Sequence, residues 1–336
     1  MAQEVDIFNP QVSVIAHGLE GKTILLYGTN NVGKTNQAVR AKKPFVLACE
    51  NGLNGIAGVK YVTINNWSSF RKAIKQLTSK STIERSKKDY QTIIIDEVYA
   101  SSMYCQDFIC QTYGNGAIDL GDDTGNTRLN LYRLYEKEYW REINKLVNSG
   151  YTTIFIAHEE LKKDGMIYPK GDEKRALSPI INNCDIVAYI HPNGVDEDGK
   201  EIKSSAYFVQ TDKFFARSRY PYMVEMIEEF TIENLSNAID KAIADQAEAE
   251  GLTTVSYEEQ KEMNTVETKS YEELMDIMQK YGELIAENGY IEDLTSIVEE
   301  NLGQGRKAAD LKKGQEQIIE ILIGEFEDFC QEKGLK

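Results

Sequence analysis

Two glycines five positions apart, followed at once by a lysine and a threonine, are the residues of this chain whose types and spacing most directly imply chemistry. In Gly28-Thr29-Asn30-Asn31-Val32-Gly33-Lys34-Thr35 the glycines let the backbone wrap tightly, so that its N–H groups can converge on a phosphate. Lys34 supplies a mobile cation for the outer phosphate oxygens, and the Thr35 hydroxyl can ligate magnesium. A helix expected over Asn36 to Lys42 points its positive end at the same anion. The second half of such a site is Ile93-Ile94-Ile95-Asp96-Glu97. A buried strand ending in an acid brings Asp96 to the carboxyl edge of a sheet, where it can hold magnesium through water. Many strands end in acids, but one that follows a phosphate loop gains meaning from it. The chain has no Asn-Lys-x-Asp sequence, so ATP with Mg2+ is the expected cofactor rather than a guanine nucleotide.

These residues need a scaffold, and the hydrophobic pattern supplies one. Thr23 to Tyr27, Phe45 to Cys49, Tyr61 to Ile64, Thr92 to Glu97 and Tyr151 to Ala157 are short apolar runs that read as buried strands. Between them, Trp67 to Thr78 places Phe70, Ile74 and Leu77 on one helical face, and Leu129 to Asn148 reads as a further helix. Strands that are apolar throughout and alternate with helices predict an α/β fold with a mainly parallel sheet covered on both faces. Ile186 to Ile190 and Ser205 to Val209 flank Asp196-Glu197-Asp198-Gly199, which predicts a β-hairpin extension. The acids of that tip lack the spacing of a calcium loop.

Charge divides the chain. The net charge of −16 comes mostly from residue 241 onward, where 23 acidic and 10 basic residues give −13; residues 1–240 hold 31 acidic and 28 basic, giving −3. The acidic total therefore does not exclude nucleic acid for the front part, where phosphate binding would rest on Lys and Arg. Residues 232–250 read as helix, 251–268 as a polar acidic linker, and 269–336 as a small acidic helical C-terminal module, leaving 1–250 as the nucleotide-binding domain. The five cysteines (Cys49, Cys105, Cys110, Cys184, Cys330) form no CxxC and no metal-ligand pattern, which suits reduced thiols in a cytoplasm. No run is long and apolar enough for a membrane helix and no secretory signal is recognisable, so no membrane partner is expected.

Three further segments carry a family resemblance. Val46-Leu47-Ala48-Cys49-Glu50-Asn51-Gly52-Leu53 is similar to the strand that ends in the catalytic glutamate of RecA-type ATPases. Phe155-Ile156-Ala157-His158-Glu159 sits where that group places a polar sensor, and Thr211 to Arg219 resembles a strand bearing paired basic residues that reach a neighbouring subunit's ATP. Together, over roughly residues 10–240, the chain resembles phage-encoded RecA-like P-loop ATPases, a group that includes single-strand annealing recombinases. The resemblance implies a RecA-like core and location in the host cell cytoplasm. It implies hydrolysis assisted by Lys34, with Glu50 as the base and His158 as a γ-phosphate sensor; analogy with other ATPases whose magnesium Asp is followed by Glu makes Glu97 the alternative base. The resemblance also implies Arg217 and Arg219 as trans-acting fingers, and hence a homo-oligomer, ring or filament. The alternatives are a ring-forming helicase-type motor, or a binding module in which ATP only controls the oligomeric state.

RecA-like proteins grip single strands with two loops at the carboxyl ends of the strands. The first candidate, Gln111 to Thr127, is acidic. The second, Glu160 to Ser178, carries Lys162, Lys163, Lys170, Lys174 and Arg175 with Tyr168 among them, and cations interleaved with an aromatic suit backbone contact and base stacking. Single-stranded DNA is thus the expected partner, with a single-strand-binding or replication protein as a further one.

Overall fold

The computed structural model describes residues 8, 10, 12–122, 130–171, 173–264 and 269–335. The chain divides into two compact units, one spanning Gln11–Met263 and the other containing Asn264–Lys336.

The first unit is built on a twisted sheet. Its strands are β2 (Thr23–Gly28), β3 (Pro44–Ala48), β4 (Lys60–Thr63), β5 (Thr92–Asp96), β6 (Thr152–Leu161), β8 (Ile186–His191), β9 (Ser205–Tyr207) and β11 (Met226–Ile227). Their spatial order is β11-β9-β8-β2-β6-β5-β3-β4. All pairings from β8 to β4 are parallel, and the β8–β9–β11 edge is antiparallel. Three further short strands are β1 (Ile15–Ala16), β7 (Ile167–Pro169), antiparallel to the end of β6, and β10 (Arg217–Ser218), antiparallel to β8. Every residue of β2 and β5 is buried, because both faces of the parallel region are covered.

Alternation along each strand sends neighbours to opposite faces. Leu25, Tyr27, Leu47, Ile93, Ile95 and Phe155 join one core with α2 (Trp67–Thr78), α4 (Val98–Tyr113), α5 (Leu131–Val147) and α6 (Ser178–Asn183). Ile24, Leu26, Val46, Ile94, Ile154 and Ile156 join the other with α1 (Lys34–Ala38) and α7 (Ile232–Glu250). Helix α2 follows its sequence pattern: Trp67, Phe70, Ala73, Ile74 and Leu77 are buried on one face, and the Asn66 side chain caps the helix by accepting from Ser69 N–H at 2.8 Å. The small helix α3 (Ile83–Asp89) follows it.

Two expectations are corrected. The helix after the phosphate loop covers only Lys34–Ala38, not Asn36 to Lys42: Arg40 and Ala41 N–H turn back to the carbonyls three residues earlier, tightening the chain toward β3. The stretch 251–263, expected as linker, is part of the first unit. It forms β12 (Thr254–Val255), parallel to β1, and α8 (Tyr257–Asn264); the Tyr257 hydroxyl donates to Gly150 O at 2.9 Å and the Gln260 side chain to Val14 O at 2.7 Å. Residues 265–268 of that range lie outside the described residues, as do 123–127 of the first candidate loop, whose Gln111–Tyr113 belong to α4.

In the second unit, α9 (Tyr271–Glu287) begins with a reciprocal Ser270–Glu273 capping box, and α10 (Ile291–Leu302) and α11 (Glu316–Lys333) follow. Leu274, Met278, Ile285, Ile319, Leu322 and Phe326 form the centre of its own core. Among the described residues of either unit, no helix is long and apolar enough to cross a membrane.

Candidate nucleotide-binding site

The parallel strands end together at one edge of the sheet, and there the loop 28–35 leaves β2. Gly28 lies so close to the end of β8 that a Cβ would stand 2.3 Å from Ile190 O; only glycine fits. Asn31 (φ 63°) and Gly33 (φ 86°) take left-handed conformations that curl the loop, and the first-turn N–H groups of α1 have no intrahelical acceptor. Lys34 is buried, its ammonium donating to Gly28 O at 2.8 Å and Thr29 O at 2.6 Å. Burial lowers its pKa to about 8, against the opposing pull of Asp96, Glu159, Glu50 and Glu97. A phosphate in the loop would replace those two carbonyls as the lysine's partner and restore a full charge.

The Thr35 hydroxyl donates to Asp96 Oδ2 at 2.9 Å. Asp96 is 2% exposed, and its Oδ1 is buried without a protein partner. Burial raises the Asp96 pKa to about 6; the Thr35 bond opposes this, and the Glu50 and Glu97 charges add to it. A buried carboxylate with an unused lone pair beside a hydroxyl is an oxygen donor set that fits a hard divalent cation such as magnesium. The space is kept open by Gly52, where a Cβ would come within 3.1 Å of Asp96 Oδ2.

The strand between β2 and β5 is β6, and it carries His158, paired in register with Gly28. The His158 imidazole Nε2 meets Glu50 Oε2 at 3.4 Å, while its Nδ1 is buried without a protein partner. This contact with Glu50 raises the His158 pKa, partial burial opposing it, and in return holds the Glu50 carboxyl below its usual range. Glu97 differs from Glu50. It is 3% exposed, and its two oxygens cap α4 by accepting from Tyr99 and Ala100 N–H, each at 3.1 Å; burial raises its pKa. Ligand atoms of Glu50, Glu97 and His158 lie within 4.8 Å of one another.

The cleft above the loop has a volume of about 920 Å3 and is lined by Asn30 to Gln37, Glu50, Asp96 and His158. Arg40, Lys203, Ser204 and Phe230 line it as well. No sequence signal marks Lys203, Ser204 and Phe230, because their elements are distant in the chain from the loop; Arg40 comes just after α1. The one local hint is Gln37, whose side chain accepts from Ile232 N–H at 3.3 Å and ties α1 to the start of α7.

The other candidate residues lie elsewhere. Arg217 pairs with Val187 near the start of β8, and its guanidinium donates to Cys184 O at 3.2 Å. Arg219 donates to Asn182 O at 2.6 Å and meets Asp185 at 3.4 Å. Both are therefore toward the amino edge of the sheet, away from the nucleotide cleft of their own chain. The basic segment is the β6–β7 hairpin and the turn after it. Lys163 is exposed, and Lys162 bonds Glu160 at 2.8 Å. The Tyr168 ring stacks on Phe215 at 5.7 Å, Lys170 lies 4.8 Å above the Tyr99 ring, and Arg175 lies 3.7 Å above Tyr132. The Lys174 side chain is outside the described residues. Lys170 N–H donates to His158 O at 2.7 Å, so the hairpin starts at the nucleotide cleft.

Comparison with known proteins agrees with this geometry. Residues 20–220 match the AAA domain family, which covers every element from the start of β2 to β10. The SPbeta prophage-derived uncharacterized protein YorG of Bacillus subtilis (strain 168) is 47% identical over 328 residues, 98% of this chain and 99% of the relative. With a phosphate loop, a magnesium-type carboxylate and a parallel sheet in place, this chain belongs to the AAA domain family of P-loop ATPases.

Proposed function

We propose that the chain is a phage RecA-like ATPase that works on single-stranded DNA, in recombination or annealing, in the host cytoplasm. The observation that carries the nucleotide half of this reading is the Thr35–Asp96 contact beside the orphaned Asp96 Oδ1. Bound magnesium would neutralise charge on the phosphates of ATP. Thr35 and Asp96 would hold it, Lys34 would hold the outer phosphate oxygens, and Glu50 would orient and deprotonate water. Glu50 is favoured over Glu97 because its carboxylate lines the cleft, whereas both oxygens of Glu97 are taken by α4.

The DNA half rests on continuity. His158 and the hairpin belong to one strand, joined again by the Lys170–His158 backbone bond, so a change at the γ-phosphate can move Lys162, Lys163, Tyr168 and Lys170. The prophage origin in the relative's name supports the phage setting. Arg217 and Arg219, being remote from their own cleft, can act as fingers only on the nucleotide of a second copy, which implies a ring or filament.

ATPase rates with and without single-stranded DNA, measured alongside strand annealing by wild type and Lys34→Ala, test the proposal. It expects DNA-stimulated hydrolysis, and loss of hydrolysis and annealing in Lys34→Ala. Annealing that survives in the variant would make ATP a mere conformational ligand. Unwinding of duplex would make the protein a helicase-type motor. ATPase activity indifferent to DNA would remove the DNA half.

A further inference from the structure

Helix α2 and the turn after it present a second cleft, of about 850 Å3, bounded by α5 and sharing no residue with the nucleotide cleft. Its charge is unlike that of the rest of the molecule. Its lining holds five cations (Arg71, Lys72, Lys75, Lys80, Lys145) and one acid, Glu142, a net of +4 in a chain of −16.

The carboxylates at this cleft are already engaged. Glu142, 1% exposed, is met by Lys145 at 2.7 Å and Arg141 at 3.3 Å. Glu138 accepts from the Trp67 indole at 3.0 Å and lies 3.6 Å from Arg71. Lys72, Lys75 and Lys80 are exposed, and among the described residues none has a carboxylate within ion-pair distance. Arg71 and Lys75 are four apart on one helix, a like-charge spacing that weakens the helix rather than supporting it. The arrangement makes physical sense with a polyanion in the groove.

The lining also says which part of the polyanion is met. Ser68 adds a neutral hydroxyl donor beside the lysines, the combination that contacts phosphate oxygens, whereas the Thr78 and Ser79 hydroxyls already bond Ile74 O and Thr82 Oγ1. Neither aromatic lining the cleft is freely offered for stacking: Trp67 is 1% exposed, its ring packed on Phe70 at 4.9 Å and Tyr139 at 5.7 Å, and the half-buried Phe108 ring has the Arg71 guanidinium 6.0 Å over it. Helix α2, twelve residues long, spans about 18 Å, roughly five phosphates of one strand.

We infer that the α2 groove carries the phosphate backbone of a nucleic-acid strand, independently of its sequence. This rests on the reading that the protein works on nucleic acid, but not on the hairpin being a contact.

The test is fluorescence anisotropy with a labelled oligothymidylate over a salt series. It uses full-length wild type, a Lys72→Gln/Lys75→Gln/Lys80→Gln variant and a Lys170→Gln/Arg175→Gln variant, with ATP binding confirming that each is folded. Three lost phosphate contacts lower the slope of log affinity against log salt by about 2 for the groove variant. A fourfold rise in salt then costs that variant roughly 16-fold less affinity than it costs wild type. A wild-type slope in the groove variant overturns the inference, even if the hairpin variant loses its slope and the proposed DNA action stands. A slope lost only in the groove variant keeps the inference and removes the hairpin contact. Wild type that binds no nucleic acid overturns both. Binding of polyglutamate that the groove variant loses, with its nucleic-acid slope intact, assigns the groove to an acidic polypeptide and overturns the inference.

Discussion

Two glutamates stand close enough to the expected γ-phosphate position to be the base, and their hydrogen bonds separate them. Glu97 works as the N-cap of α4, whereas Glu50 keeps an oxygen toward the cleft. Glu50→Gln should therefore lower ATP turnover by about 100-fold or more while leaving nucleotide affinity close to wild type. Glu97→Gln should instead cost about 1 kcal/mol of stability through the weakened cap, visible as a lower Tm, with turnover retained. The opposite pairing of outcomes would exchange their roles. A second consequence concerns pH. The folded-state pKa of His158 is raised by Glu50, so the stabilisation from this pair is fully present below the unfolded value of about 6.5 and is lost as pH rises through the raised value. The contact is long and partly exposed, so the effect is small. The Tm difference between wild type and His158→Gln should shrink as pH rises above about 6.5; a difference independent of pH would mean that the pair is not formed.

At the scale of elements, the approach of β2 to β8 decides what the loop can tolerate. A Cβ on Gly28 would meet the Ile190 carbonyl, which is backbone and cannot swing aside. Gly28→Ala should cost about 1–3 kcal/mol by overpacking and weaken ATP binding at the same time, because the strand end and the loop move together. Calorimetry and nucleotide titration on one preparation would show both changes, and an unshifted Tm would contradict the close approach. The phosphate loop, Asp96 and the helical face of α2 could be read from the chain alone, since each is specified by neighbours within one element. The rim of the cleft could not. Lys203, Ser204 and Phe230 reach the loop only through the fold, and no periodicity links them to it. Likewise β10 and β11 are two residues long, too short for a period. The amino-edge position of Arg217 and Arg219 depends on the register of β10 against β8, which spacing along the chain does not encode.

At the scale of the whole molecule, the two units differ in charge: residues 11–263 carry a net −5, and residues 1–10 with 264–336 carry −11. A polar, acidic composition after residue 250 suggested a linker, yet Tyr257 packs where a Cβ on Gly21 would overlap its ring, and its hydroxyl reaches Gly150. Composition reports what a segment exposes; the anchoring tyrosine, a strand pairing and the Gln260 bond dock it. The helices α9 to α11 close their own core around Leu274, Ile319 and Phe326, so that unit need not supply packing to the nucleotide domain. Ending the chain after Met263 should therefore leave ATP binding and the Tm of the first unit close to those of the full chain. Ending it after Glu250 removes β12 and α8, and with them the Tyr257 and Gln260 bonds and the β1 pairing. The expected loss is about 2–4 kcal/mol, from one aromatic side chain brought out of its site and several hydrogen bonds. Thermal unfolding of the two truncated chains with and without ATP measures this directly. If both melt alike, β12 and α8 contribute nothing to the first unit and the linker reading returns; if the longer one also fails to bind ATP, the C-terminal unit is needed to complete the nucleotide site.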